Sequence, residues 1–205
     1  MIQKIFKNNV LLNSKPSASI VSAAFVITMA GLASRVLGLL RDRFLASSFG
    51  AGDVLDVYYA AFRIPDLIYN LLIVGALSAA FIPVFTGLVS NDKEKEAWKL
   101  ANGLLNLVVF SIILISVVLA IFAPYVMKAV TPGFSGEKME SVVMFTRIMF
   151  LSPLFFGISG IFGGILTSFK KFLIYSLAPL FYNLGIIFGI FVFVPIFGEI
   201  GLAWG

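Results

Sequence analysis

Between Ser34 and Asp66 the chain carries Arg35, Arg41, Asp42, Arg43, Asp53, Asp56, Arg63 and Asp66 in a segment that continues directly from an uncharged apolar run. A guanidinium is planar and always charged. Its forked donors match phosphate and carboxylate oxygens two at a time, so arginines at membrane depth suit the capture of an anionic, phosphate-bearing group. Carboxylates at Asp42, Asp56 and Asp66 would hold those guanidiniums in place when no anion is present. On a helix, Thr28, Gly31, Arg35, Gly38 and Asp42 recur at 3-4-3-4 spacing and share one face. Asp56, Tyr59, Arg63, Asp66 and Asn70 repeat that rhythm beyond the Gly50-Ala51-Gly52 turn. An ion at the bilayer centre costs roughly 2.5 to 3.5 kcal/mol on insertion scales, so two such stripes should face a wet hollow or each other. Snorkelling of Arg41 and Arg43 to head groups, and structural ion pairing of Arg35 with Asp42 or Arg63 with Asp66, are the plainer alternatives.

The elements that would position these residues are membrane helices. The chain of 205 residues is 60 % hydrophobic and 12 % charged, outside the usual soluble range. Uncharged runs occupy residues 16–34, 67–91, 100–127, 148–169 and 172–198, and a helix needs roughly 20 such residues to cross the hydrocarbon core. The expected fold is an all-α polytopic bundle of five complete spans, with the start of a sixth after Glu199, where the sequence reads as truncated. Residues 1–16 form a basic tail and residues 17–205 the helical lobe. The first span, to Phe49, is some ten residues longer than a bilayer requires and continues into charge without a cleavage site, so it is retained. Gly31 and Gly38 would let a neighbouring helix approach closely, as would Pro153, Gly157, Gly160 and Gly164 in the fourth span. Gly50, Gly52 and Pro65 are the expected hinge or helix-breaking positions, and the second span should be interrupted at Pro65 and Pro83. Span three is nearly pure Leu, Ile and Val, a lipid-facing scaffold in which Asn102, Asn106 and Ser116 are free to bond to neighbours.

Charge distribution sets orientation. Lys4, Lys7, Lys15, Lys93, Lys95, Lys99, Lys170 and Lys171 fall on one side if every span crosses. The other side holds Lys128, Lys138 and at most Arg41 and Arg43. The positive-inside rule then puts the amino terminus in the cytoplasm, and the net charge of +5 speaks for membrane topology and not for nucleic acid. Arg147 reads as an interfacial anchor.

Cysteine and histidine are both absent, which excludes thiol and histidine chemistry and the commonest zinc ligands. No nucleophile elbow, phosphate-binding loop or metal motif occurs, and no cofactor or metal is expected. The chain is not expected to be an enzyme; a transferase using Asp53 and Asp56 is the weak exception. The chemistry that remains is transport or flipping of an anionic, phosphate-bearing substrate, with a non-transporting membrane scaffold, for cell-wall enzymes if the resemblance described next holds, as the competing class.

Several segments resemble a known family. Ser34-Arg35-Val36-Leu37-Gly38 with Arg41-Asp42, Phe49-Gly50-Ala51-Gly52 with Asp56, Ala61-Phe62-Arg63-Ile64-Pro65, Gly75-Ala76 and Ala80-Phe81-Ile82-Pro83-Val84 occur here in order. Ala123-Pro124, Pro132-Gly133-Phe134 and Ala178-Pro179-Leu180 with Asn183 follow. Together they resemble the amino-terminal signature of the MurJ (MviN) family of lipid II flippases, within the multidrug/oligosaccharidyl-lipid/polysaccharide exporter superfamily. The resemblance implies about fourteen helices in two six-helix lobes plus an extra pair, of which this chain is the amino-terminal lobe without its carboxy-terminal partner. It implies a bacterial inner-membrane protein that moves undecaprenyl-pyrophosphate-linked peptidoglycan precursor by alternating access. Arg35, Arg41, Asp42 and Asp56 match family positions associated with the cavity and with activity, and Arg63 matches a basic position of the second helix. The chain departs from the family at Tyr69, Asn70 and Val74, where many relatives carry two arginines and an acidic residue. A flippase for another polyprenyl-linked glycan is therefore the nearest alternative.

Overall fold

A computed structural model describes residues 20–71 and 80–205. The basic tail with Lys4, Lys7 and Lys15, and the positions Val74, Gly75 and Ala76, lie outside them. Described residues are helical, without strands among them. The helices are α1 (Ile20–Phe49), α2 (Asp53–Tyr69), α3 (Ile82–Ser90), α4 (Glu94–Ile121), α5 (Ala123–Val130), α6 (Gly136–Met149), α7 (Ser152–Ser168) and α8 (Phe172–Phe188). A π-helical turn (Gly189–Phe193), α9 (Val194–Phe197), a 3₁₀ turn (Gly198–Ile200) and α10 (Gly201–Trp204) complete the fold.

Four helical stretches are long and apolar enough to cross a membrane among the described residues: Val21–Phe49, Glu94–Ile121, Gly136–Ser168 and Phe172–Trp204. The expected second span corresponds to α2 and α3, which flank residues 72–79. At 30 residues, α1 is about 45 Å long, confirming the excess length legible in the sequence.

Proline marks the starts of several helices, but not at every position where the sequence pattern put a break. Pro65 does not interrupt α2; the helix continues through it to Tyr69. Proline costs a helix its own N–H and crowds the carbonyl four residues back, here Ala61. Both residues are buried in α2's packed face, where neighbouring helices constrain the backbone. The departure from α geometry comes later, in the wider turn at Asn70 and Leu71. Pro83, Pro124 and Pro153 occupy first-turn positions of α3, α5 and α7, where a missing N–H is harmless. The third span therefore ends at Ile121, with α5 as a separate helix, and the fourth divides at Phe150 and Leu151.

Helix α1 packs chiefly on α8, α2 on α6, and α4 on α7. One core joins Leu45 of α1, Val57, Tyr58 and Ala61 of α2, and Val142, Phe145 and Met149 of α6. A second joins Phe81 and Phe85 to Trp98, Ala101, Ile161 and Ile165. There α3 and α7 are also tied by Thr86 Oγ1 donating to Ser168 Oγ at 2.8 Å. The glycine stripe of α7 does admit a neighbour: a Cβ on Gly164 would lie 3.1 Å from the Phe81 ring. Gly31 and Gly38 do not act that way. A Cβ on Gly31 would meet nothing within 4 Å and one on Gly38 only Asn183 Oδ1 at 3.7 Å, so α1 approaches α8 at ordinary side-chain spacing. Helix α4 presents Leu107, Phe110, Leu114 and Val117 outward, the face of a lipid-facing scaffold. Asn102 bonds to Trp98 O of its own helix, and among the described residues Ser116 Oγ is buried without a partner.

Gly198, at φ +69°, reverses the chain. The short α10 then folds back along the π turn, where Gly189 and Gly205 meet backbone to backbone and a Cβ on Gly201 would collide with the Phe193 main chain. The segment read as the start of a sixth span is a four-residue helix, Gly201–Trp204, antiparallel to the π turn at Gly189–Phe193.

Candidate functional site: a polar face on helices α1, α2 and α8

Residues of α1 alternate between two adjoining edges. Ala23, Val26, Ala30, Ser34, Leu37, Arg41 and Phe44 are wholly or partly buried along the seam with α8. Thr28, Gly31, Arg35 and Asp42 are exposed one step round the helix. The stripe legible in the sequence is therefore an open face, and Arg41 stands at its border with the seam. Arg35 lies near the midpoint of α1, about 20 Å from either end at 1.5 Å per residue.

Arg41 is held by three hydrogen bonds. Its Nε and Nη2 donate to Asp42 Oδ1 at 2.9 and 2.7 Å, and its Nη1 donates to Asn183 Oδ1 of α8 at 3.0 Å. Asn183 is buried, and its amide nitrogen donates to Pro179 O at 2.9 Å, Ser34 Oγ at 3.2 Å and Ser34 O at 3.3 Å. Ser34, Arg41, Asp42 and Asn183 thus form one network across the α1–α8 seam. A guanidinium has five N–H donors. Three are engaged here, which leaves two without a partner among the described residues, on a side chain that is 23 % exposed beside the 52 % exposed Asp42. Nearby, Tyr69 of α2, Phe156 of α7 and Tyr182 of α8 form an aromatic ladder with ring centroids 5.3 and 5.6 Å apart.

The stripe of α2 is likewise open. Asp56, Tyr59, Arg63, Asp66 and Asn70 are exposed, whereas Val57, Tyr58, Ala60, Ala61, Pro65 and Ile68 fill the opposite, buried face. Arg63 lies about 15 Å from the Asp53 end of the helix. Its Nη1 reaches Val130 O, the last carbonyl of α5, at 3.4 Å, a long bond to a helix terminus that attracts positive charge.

The charge partners differ from those the sequence suggested. Asp42 pairs with its neighbour Arg41, not with Arg35. Asp56 holds no arginine: with Asp53 it accepts from Lys138 Nζ, each at 2.7 Å, because the first turn of α2 lies against the start of α6. The same Nζ stands 4.3 Å from the centroid of the Phe134 ring. Asp66 forms no ion pair among the described residues; its main-chain carbonyl accepts from Asn70 Nδ2 at 2.9 Å. Among the described residues, Arg35 and Arg63 also take part in no ion pair, so the structural pairs Arg35–Asp42 and Arg63–Asp66 are absent. Gly50 closes α1 with a left-handed φ of +66° and its N–H on Ala46 O. Gly52, in extended backbone, starts α2. Arg147, read as an interfacial anchor, donates through Nε to Ala120 O at 3.1 Å, the carbonyl left without a helical donor by Pro124.

Ser34 and Asn183 were the partners that charge patterning missed. The signal was a lone amide four residues beyond Pro179 in an otherwise apolar span.

A family model described as lipid II flippase MurJ matches residues 45–205, a range that includes Asp56, Arg63 and Asn183. A probable lipid II flippase MurJ of Rickettsia prowazekii is 33% identical over 172 residues, covering 81% of this chain and 32% of the relative. A lipid II flippase MurJ of Burkholderia cenocepacia is 32% identical over 166 residues, 79% of this chain and 32% of its own length. A probable lipid II flippase MurJ of Rhizobium tropici is 30% identical over 176 residues, 84% and 33% of the two chains. The chain thus spans about a third of the length of the curated relatives it matches. With a membrane-helix bundle, an open polar face carrying arginines and aspartates and a family match over most of its residues, the chain belongs to the MurJ lipid II flippase family.

Proposed function

We propose that this chain forms the amino-terminal lobe of a flippase that moves undecaprenyl-pyrophosphate-linked peptidoglycan precursor, lipid II, from the inner to the outer leaflet of the bacterial cell membrane by alternating access. Its amino terminus lies in the cytoplasm, and a carboxy-terminal lobe closes the other side of the cavity. Arg35, Arg41 and Arg63 attract the pyrophosphate. Asp42 holds Arg41, and Asp56, tied to Lys138, anchors the outer end of α2. Bending is assigned to the Gly50–Gly52 turn, with the hydrogen bond that Pro65 cannot make giving α2 some compliance.

The observation that carries this reading is Arg41: a half-buried guanidinium at a helix seam, braced by Asp42 and Asn183, with two donors to spare at the border of an exposed polar face. Family membership supports the lipid-linked cargo.

The test uses the complete encoded protein in proteoliposomes with fluorescent lipid II. Arg41→Ala removes two charge-assisted contacts to phosphate, each about 1.5 to 3 kcal/mol, so movement should fall at least about a hundredfold while membrane insertion is unchanged. Wild-type movement in that variant overturns the assignment.

A further inference from the structure

Asp42 alone does not aim Arg41. Both of its bonds end on one atom, Oδ1, and the carboxylate sits on the next residue of the same helix, so the fork can pivot about that oxygen. The third bond comes from a different helix. Asn183 Oδ1, 3.0 Å from Nη1, supplies a second fixed point and removes the pivot.

The orientation of Asn183 is itself determined. Its nitrogen faces Pro179 O, Ser34 O and Ser34 Oγ. The opposite amide orientation would set an NH₂ against the guanidinium and a carbonyl against two carbonyl oxygens. Burial within the seam keeps water from substituting for these bonds. Ser34 and Pro179 therefore lock the amide, the amide fixes the guanidinium plane, and that plane decides where the two remaining N–H donors point.

We infer that Asn183 is a positioning residue: from α8 it aims the free donors of Arg41 at the phosphate oxygens of the cargo. The inference rests on the flippase reading above. It adds that recognition by α1 depends on the placement of α8, the helix on which α1 chiefly packs. Anion grip is thereby coupled to the α1–α8 seam.

Asn183→Leu, of similar volume, separates positioning from simple packing. In proteoliposomes of the complete encoded protein, the initial rate of transbilayer movement is read against the density of fluorescent lipid II. Loss of the aiming bond should raise the half-saturating density roughly ten- to hundredfold with a smaller change in maximal rate. A structural role would only lower the amount of active protein, and hence the maximal rate. An unchanged half-saturating density, whatever happens to the maximal rate, overturns the inference. If Asn183→Leu fails to insert, Asn183→Gln carries the test: it keeps the amide but displaces it by one methylene, and it should raise the half-saturating density in the same sense, an unchanged value again being the overturning result. Arg41→Ala, measured in parallel, separates the two levels. Wild-type behaviour of Arg41→Ala removes the flippase site itself. A disabled Arg41→Ala beside an unaffected Asn183 variant removes only the positioning role.

Discussion

The bond from Arg147 to Ala120 gives a prediction in which one substitution should cancel another. Pro124 has no N–H, so the carbonyl four residues earlier, Ala120 O, lacks its helical donor, and Arg147 Nε supplies one at 3.1 Å. A charge-assisted hydrogen bond contributes about 1.5 to 3 kcal/mol, and Arg147 is exposed, which favours the lower end. Arg147→Leu should therefore destabilise the protein by about 1 to 2 kcal/mol, much of it the cost of an unsatisfied carbonyl at a membrane helix end. In a Pro124→Ala background the residue-124 N–H is restored and can bond to Ala120 O. The same Arg147→Leu change should then cost less than about 0.5 kcal/mol, a coupling of roughly 1 kcal/mol in the range found for residues sharing a partner. The four proteins would be compared by denaturant unfolding in mixed micelles. Equal cost of Arg147→Leu in both backgrounds would show that the arginine does not serve the carbonyl exposed by Pro124.

The remaining stability predictions concern packing. Gly31→Ala should be neutral or stabilising by up to about 1 kcal/mol, since the added methyl meets nothing and alanine is the better helix former. Gly201→Ala should cost about 1 to 3 kcal/mol or more, because its methyl would collide with the Phe193 main chain; thermal unfolding of the two variants should therefore shift in opposite directions or, at the least, by clearly unequal amounts. Phe85→Ala removes a fully buried ring packed on Phe81, Trp98 and Phe169 at centroid distances of 5.2, 5.8 and 6.1 Å. It should cost about 3 kcal/mol and loosen α3 from α4 and α7, which would register as faster proteolysis near Asn91; unaltered proteolysis would contradict that packing.

Much of the fold was legible because hydrophobic run length and helical periodicity are local. The long first helix, the open polar faces of α1 and α2 and the outward apolar face of α4 all follow from residues a few positions apart. Partners were not legible. Helical spacing assigns Asp56 to an arginine, yet its ion-pair partner is Lys138, 82 residues away. Arg41 meets an amide 142 residues distant. Periodicity says which face a residue occupies and nothing about which helix comes to lie against it. Proline is ambiguous for a related reason: Pro65 sits inside a continuous helix because packing on its buried face overrides the local penalty, whereas Pro124 and Pro153 mark real ends. Glycine spacing in α1 suggested close helix approach, but the seam with α8 is spaced by Ser34, Arg41 and Asn183 instead.

The proposed cargo site requires the stripe of α1 and α2 to border water within the membrane and not lipid. The 205 residues of this lobe contain no cysteine, so single cysteines introduced into it, with any cysteine elsewhere in the complete encoded protein replaced by serine, report their surroundings without background. Thr28→Cys and Asp66→Cys on the polar faces, and Phe110→Cys and Leu114→Cys on the outer face of α4, would be exposed in sealed vesicles to a membrane-impermeant thiol reagent. Thr28→Cys and Asp66→Cys should react many times faster than the two α4 positions, and bound lipid II should slow them. Protection of Thr28→Cys and Asp66→Cys equal to that of Phe110→Cys would place the charged stripe against acyl chains and contradict that requirement.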